Sequence, residues 1–204
     1  MRRQEFSVQE ENELIQFLSE ISFGFLGTVD DQGSPRVTPL NFVYDQGSFY
    51  FHGSRVGEKM NHMRIHEKVS FTVADEYALI PSYFSDPALA CPATSYFKSV
   101  TVSGTAVIID DLSEKGRIFT LFMKKLQPEG GYDPIDPTDP RYTSRLRGVA
   151  VMKILPKQLS AKFKFGQNLS DSARDKVISG LELRGHERDQ ETIEQMKKYC
   201  PHMQ

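Results

Sequence analysis

Cysteine is scarce, charge is nearly balanced, and no apolar run approaches the ~18 residues of a membrane span. Each shortage closes a class. Cys91 and Cys200 are the only cysteines; two make no disulfide framework, and "YCPH" lacks the C-x-x-C spacing of a redox pair. The start "MRRQEF" is basic but turns acidic where a secretory signal needs an apolar segment, so a reducing cytoplasm is expected. A net charge of -2 over 204 residues argues against broad nucleic-acid binding. There is no G-x-S-x-G motif of a serine hydrolase and no Walker A spacing. With 39% hydrophobic and 25% charged residues and no low-complexity tract, a globular chain remains. Its length suits one domain, or one domain with an appendage.

What is present is mostly strand. Ser7 and Glu10 form a capping box ahead of Leu14, Phe17, Leu18 and Ile21, which recur at helical spacing. The period then changes. "FGFLGTV", "SPRVTPLNFVY" and "SFYFHG" are three strands joined by the polar turns "DDQG" and "DQG", an antiparallel meander. Residues 57–66 suit a short helix, and "KVSFTVAD" a fourth strand. Residues 76–94, with three prolines, suit a loop. "YFKSVTVSGTAVIID" is a long strand with Gly104 at a bulge or bend. A helix over 113–127, started by Ser113, follows. "PEGGYDPIDPTDPRY" is a loop without regular structure, and "GVAVMKIL" is the sixth strand. Beyond Pro156 come a basic segment, a helix with Ser172 and Asp175 as its capping box, and a last helix over 189–199. The fold expected is mainly β (α+β): a six-stranded antiparallel barrel with peripheral helices over residues 1–156, and a strand-like then helical extension over 157–204.

Three of the five histidines fall in "FYFHGSRVGEKMNHMRIHEKVSF". His62 and His66 at i, i+4 have the spacing of a zinc pair, but no H-E-x-x-H glutamate or nearby cysteine completes it, so no metal is expected. "GSRVGEK" is more telling. It sets Ser54, Arg55 and Lys59 between a strand and a helix start, where free N–H groups and the dipole favour an anion. A surface turn with a capping serine would look the same, and the residues alone leave the two readings open. Arg36 adds a cation within a strand, and the hairpin partner carries Tyr50, Phe51 and His52. Phosphate at one end and a flat ring at the other is the outline of flavin mononucleotide (FMN). Alternation along the strand also suits core positions for one set of these aromatics.

In order and spacing, "GTVDDQGSPRVTPLNFVYDQGSFYFHGSRVGEKMNHMRIHEKVSFTV" resembles the FMN-binding split-barrel superfamily of pyridoxamine 5'-phosphate oxidase. Within it, "YFH" and the later "TSYFKSV" resemble the nitroimidazole-resistance (Nim-like) group. "KFKFGQNLSDSARDKVISGL" also resembles the C-terminal segment of FMN-binding negative regulators. The resemblance implies a six-stranded split barrel and a homodimer with FMN at the subunit interface. Arg36 and Lys59 would hold the FMN phosphate with Ser54 assisting, and Arg55 is a further candidate. The backbone of Val37, Thr38 and Pro39 would run along the isoalloxazine edge. Tyr50, Phe51 and His52 would line the ribityl chain and ring, and Tyr96 and Ser99 would complete the site from the partner subunit. Neither the arginine-rich C-terminal signature of the true oxidases nor any tryptophan is present, so vitamin B6 oxidation is not expected. What the resemblance implies is a flavin-dependent oxidoreductase of open substrate, nitroreductase-like in one version, with no catalytic residue assigned beyond His52 as a candidate. Two alternatives stand beside it. One is a non-enzymatic flavin-binding sensor or regulator acting through "KQLSAKFKFGQN", whose Lys157, Lys162 and Lys164 alternate with Phe163 and Phe165; the same alternation suits an edge strand with one buried face. The other is a haem protein using His52, His62, His66, His186 or His202.

Overall fold

The computed structural model describes residues 4–8 and 10–199. Their strands are β1 (Phe23–Val29), β2 (Pro35–Asn41), β3 (Val43–Asp45), β4 (Ser48–Ser54), β5 (Lys68–Ile80), β6 (Thr94–Ile109) and β7 (Val149–Lys164). They form one antiparallel sheet in the order β2-β1-β5-β6-β7-β4-β3. The α-helices among the described residues are α1 (Glu11–Glu20), α2 (Glu58–Ile65), α3 (Leu112–Leu126), α4 (Pro140–Gly148), α5 (Asp171–Arg184) and α6 (Asp189–Lys198). None is long and apolar enough to cross a membrane.

The mainly β, antiparallel architecture is as the sequence indicates, but there are seven strands rather than six, and the sheet is not a closed barrel. "SPRVTPLNFVY" divides at the buried Phe42: β2 pairs with β1 from Pro35↔Val29 to Asn41↔Phe23, while β3 pairs with β4. No turn residue marks the change of partner, because the chain stays extended through it. Both meander turns have the expected chemistry. The Asp30 carboxylate accepts from the backbone N–H of Gln32 and Ser34 at 2.9 and 2.8 Å, and Gln46-Gly47 closes the second hairpin with φ of 47° and 74°.

Other boundaries move. Residues 76–80 are strand, not loop: β5 continues to Ile80 and stops at Pro81, which lacks the N–H a ladder needs. Pro140–Tyr142, expected to be irregular, open α4, with Asp139 accepting from the Arg141 N–H and Pro140 in the first turn. The α1 capping box does not form; Glu10 is the N-cap without a side-chain bond, and Ser7 bridges Lys162 of β7. The helices expected to start at Ser113 and Ser172 are capped by Asp111 and Ser170. Gly104 sits within continuous β6, where any Cβ would collide with the Leu155 carbonyl of β7.

The chain forms two compact units, a larger one of residues 10–73 and 101–159 and a smaller one of the described residues 4–8, 74–100 and 160–199. The expected boundary at 156/157 falls inside β7. In the larger unit, the rings of Phe42, Phe49 and Phe71 meet with centroids 5.2 to 6.0 Å apart, and Phe17 and Leu18 of α1 are buried. Tyr50 and Val43 on the opposite face of β4 and β3 pack with Val151 under Ile118 and Phe122 of α3. Lys115 of α3, only 1% exposed, donates to the carbonyls of Leu146 and Val149 at 2.9 and 2.8 Å, closing the C-terminal end of α4.

In the smaller unit, Tyr77, Tyr96, Phe163 and Phe165 are buried with Val177 and Leu181 of α5 and Ile193 and Met196 of α6. Arg188 grips Asp75 with two hydrogen bonds at 2.9 and 2.7 Å and lies over the Tyr77 ring.

Candidate functional site

Arg36 and Lys59 both lie at the start of α2. β4 ends at Ser54, whose Oγ accepts from the Val56 N–H at 3.2 Å and bends the chain toward Gly57. Gly57 is the N-cap of α2 and offers no side-chain acceptor, so the first-turn N–H groups carry no side-chain cap. Lys59 lies down against β4: a Cβ at Gly53 would sit 2.7 Å from its Nζ, so the glycine makes room for the ammonium. Arg36 reaches the same turn from β2, its Nε 3.2 Å from Glu58 Oε1. Both members of that pair are well exposed, at 59% and 63% of their side chains. An ion pair so solvated contributes little, and an incoming anion can displace Glu58 from Arg36.

Around this cradle the expected residues divide. Val37 and Pro39 are exposed and Thr38 half-buried on β2, which borders only β1 and leaves its other edge open. Arg55 turns elsewhere, donating to the Arg147 carbonyl at 3.3 Å and to Asp110 at 3.4 Å. Tyr50 and Phe51 are buried at 1% and 0% exposure. Expected along a ligand, they are core in this chain, because β4 lies between β3 and β7 and is covered on both faces: Tyr50 packs under α3, and Phe51 faces inward. His52 is half-buried between the rings of Phe119 and Phe122, at centroid distances of 5.1 and 4.9 Å. Burial first, and then the Lys59 charge, hold its pKa below the usual imidazole value. Tyr96 and Ser99 belong to the smaller unit, on β6; Tyr96 is buried there and Ser99 half-buried.

The histidine pair separates. His62 is buried, with Nδ1 3.0 Å from Thr28 Oγ1, whereas His66 is the exposed C-cap of α2. His202 and Cys200 lie outside the described residues. Two participants escaped the sequence reading. Glu58, paired with Arg36, is an acidic first-turn residue whose position was visible in "GEK". Arg64 donates to the Arg55 carbonyl at 3.2 Å and fixes the loop, and no local signal marks it.

Solved structures with the same fold include the flavocytochrome Anf3 from Azotobacter vinelandii (22% identity, 79% of this chain and 70% of that one, TM-score 0.66). A protein described as a candidate 5-nitroimidazole antibiotic resistance protein from Bacteroides thetaiotaomicron is similar too (22%, 76% and 85%, TM-score 0.60). So is an FAD- and haem-binding protein from Mycobacterium smegmatis (19%, 86% and 80%, TM-score 0.62). At these identities the likeness speaks to fold. No curated protein matches the chain in sequence. Residues 10–163, which hold the β1–β2 hairpin, the Ser54–Lys59 turn and all but the end of β7, match the family described as pyridoxamine 5'-phosphate oxidase, and the chain belongs to that family.

Proposed function

We propose that the chain binds FMN and acts as a flavin-dependent oxidoreductase, assembled as a homodimer. One observation carries the reading: Arg36 and Lys59, from different elements, converge on the uncapped start of α2 beside the open edge of β2. The donor set fits a phosphate monoester, with a guanidinium fork, an ammonium, a serine hydroxyl and backbone N–H groups in one turn. Solved structures of the same fold carry names of flavin, haem and nitroimidazole-resistance proteins, and a redox role is in keeping with those names.

When bound, FMN supplies hydride acceptance and onward transfer of one or two electrons. The chain's part is to bind, orient and exclude. Arg36 and Lys59 would hold the phosphate, with Glu58 displaced to solvent. The β2 backbone at Val37, Thr38 and Pro39 would border the ring. His52, whose pKa is held below the usual imidazole value by burial and then by the Lys59 charge, would offer a hydrogen bond. The dimer would form through the outer face of β1 and β2, where Phe23 and Phe25 are each 45% exposed and Val37 68%.

The visible spectrum of the gently purified protein, with and without added FMN, is the test. Flavin bands weakened by both Arg36→Ala and Lys59→Ala support the reading. A spectrum that FMN leaves unchanged refutes it, and a Soret band would move the cofactor to haem.

A further inference from the structure

The smaller unit holds a cavity of about 480 Å³, within the ~300–1,000 Å³ range of small-molecule sites. It is built where β6 and β7 run side by side. Lys162 and Lys164, two apart on β7, present their ammonium groups on one face, while Phe163 and Phe165 between and beyond them point into the core. From β6, two apart again, come Thr94 and Tyr96. Lys164 donates to Thr94 Oγ1, and Lys162 spans the rings of Phe6 and Phe97 at 5.6 and 5.1 Å. Among the described lining residues there are two lysines and no aspartate or glutamate.

Tyr96 is the second observation. Its side chain is 2% exposed and it lines the cavity. The hydroxyl stands over Gly166, at φ 80°, where any Cβ would collide with it, and next to Leu169 of the cavity wall. A phenol O–H on the cavity wall offers a ligand acceptor one directed hydrogen bond. Burial pushes this phenol up to about 12, so it remains a donor. Phe6, Ile80, Leu169 and Val177 form an apolar patch on the wall, beside the polar Ser85 and Asn168.

We propose that this cavity binds a small organic carboxylate, its head between Lys162, Lys164 and the Tyr96 hydroxyl and its apolar body against Phe6, Ile80 and Val177. Two point-charge ammoniums and one phenol donor match two carboxylate oxygens, and the apolar patch on the wall disfavours a fully hydrated ion such as inorganic phosphate. The site uses residues of the smaller unit alone and does not depend on the flavin reading.

Cys91 lies exposed on the cavity wall and is a ready reporter. In a Cys200→Ser background it is the sole thiol, so occupancy reads out as slower alkylation by iodoacetamide. The probes are monocarboxylates from acetate to 3-phenylpropionate, with 3-phenylpropanamide as the neutral control and phenyl phosphate as the alternative anion. At least one carboxylate is expected to protect Cys91 saturably and to bind one-to-one by calorimetry, while the amide does neither. Lys162→Met and Tyr96→Phe are each expected to weaken binding about tenfold, the scale of one hydrogen bond to a charged group. Tyr96→Phe removes a single oxygen and keeps the ring, so the test survives if the lysine variant misfolds. A full panel without binding, or binding unchanged in Tyr96→Phe, overturns the site. Stronger protection by phenyl phosphate than by 3-phenylpropionate overturns the carboxylate assignment.

Discussion

Replacing Glu58 with glutamine removes the carboxylate that is ion-paired with Arg36 and competes with a phosphate for it. In the structure its Oε1 is 3.2 Å from Arg36 Nε, and both side chains are mostly in water. Breaking such a pair costs about 0–1 kcal/mol. A carboxylate left about 7 Å from a doubly charged phosphate adds roughly 1 kcal/mol of repulsion in a water-like dielectric. Together they predict FMN binding tighter by about 1–2 kcal/mol, or roughly 5- to 30-fold, in Glu58→Gln. The gain shrinks as salt is raised, because both groups are exposed. The same substitution deprives the α2 N-terminus of a favourable charge worth about 0.3–1 kcal/mol, so the apo protein melts slightly lower while holding cofactor more firmly. Quenching of flavin fluorescence at two salt concentrations measures the affinities, with Lys59→Met as the opposing control, expected to weaken binding at least tenfold. Unchanged or weaker affinity in Glu58→Gln, with Lys59→Met still damaging, would show that the phosphate does not meet Arg36.

Three further outcomes follow from the packing. Lys115→Met strands the Leu146 and Val149 carbonyls; at about 1–3 kcal/mol per orphaned group, chemical denaturation should show a loss of roughly 2–5 kcal/mol, and a loss under about 1 would deny the ammonium its capping role. Gly166→Ala puts a methyl group on the Tyr96 hydroxyl and an L residue at φ 80°, so a thermal melt should fall by several degrees, whereas Gly33→Ala, at φ 84° in open space, pays only the backbone term. His52 should titrate by NMR below the free imidazole value, and Lys59→Met should raise its pKa only partway, burial being the larger cause. Because the folded pKa is the lower one, the unfolded chain binds the extra proton. Stability from this group therefore rises with pH between the folded value and about 6.5 and is at its lowest below both.

The strand plan was legible because its punctuation is local: "DDQG" and "DQG" are turns wherever they occur, and alternation marked β1, β5 and β6. The divided second strand was not, since Phe42 changes partner without changing conformation. Asp139-Pro140 was a readable helix start, masked by the prolines before it. For the candidate site, the turn at Ser54–Lys59 carried its own signal in residue type and spacing. The burial of Tyr50 and Phe51 did not, because two-sided coverage of β4 depends on α3, β3 and β7, which lie far along the chain or need the sheet order to place. "KFKF" gave its alternation truly, but the cavity facing its lysines needed Thr94 and Tyr96 from another strand.

Strands β5, β6 and β7 each begin in one compact unit and end in the other. The smaller unit is consequently stitched from separate lengths of chain, and no single cut releases it. Removing residues 157–204 as though they were a tail would take the end of β7 along with α5 and α6, uncovering Tyr77 and Tyr96. Such a chain should aggregate rather than yield a trimmed barrel. For gene fusion or recombination this architecture is one indivisible part, and its joints with other modules belong at the ends of the chain or in surface turns such as Asp30–Ser34.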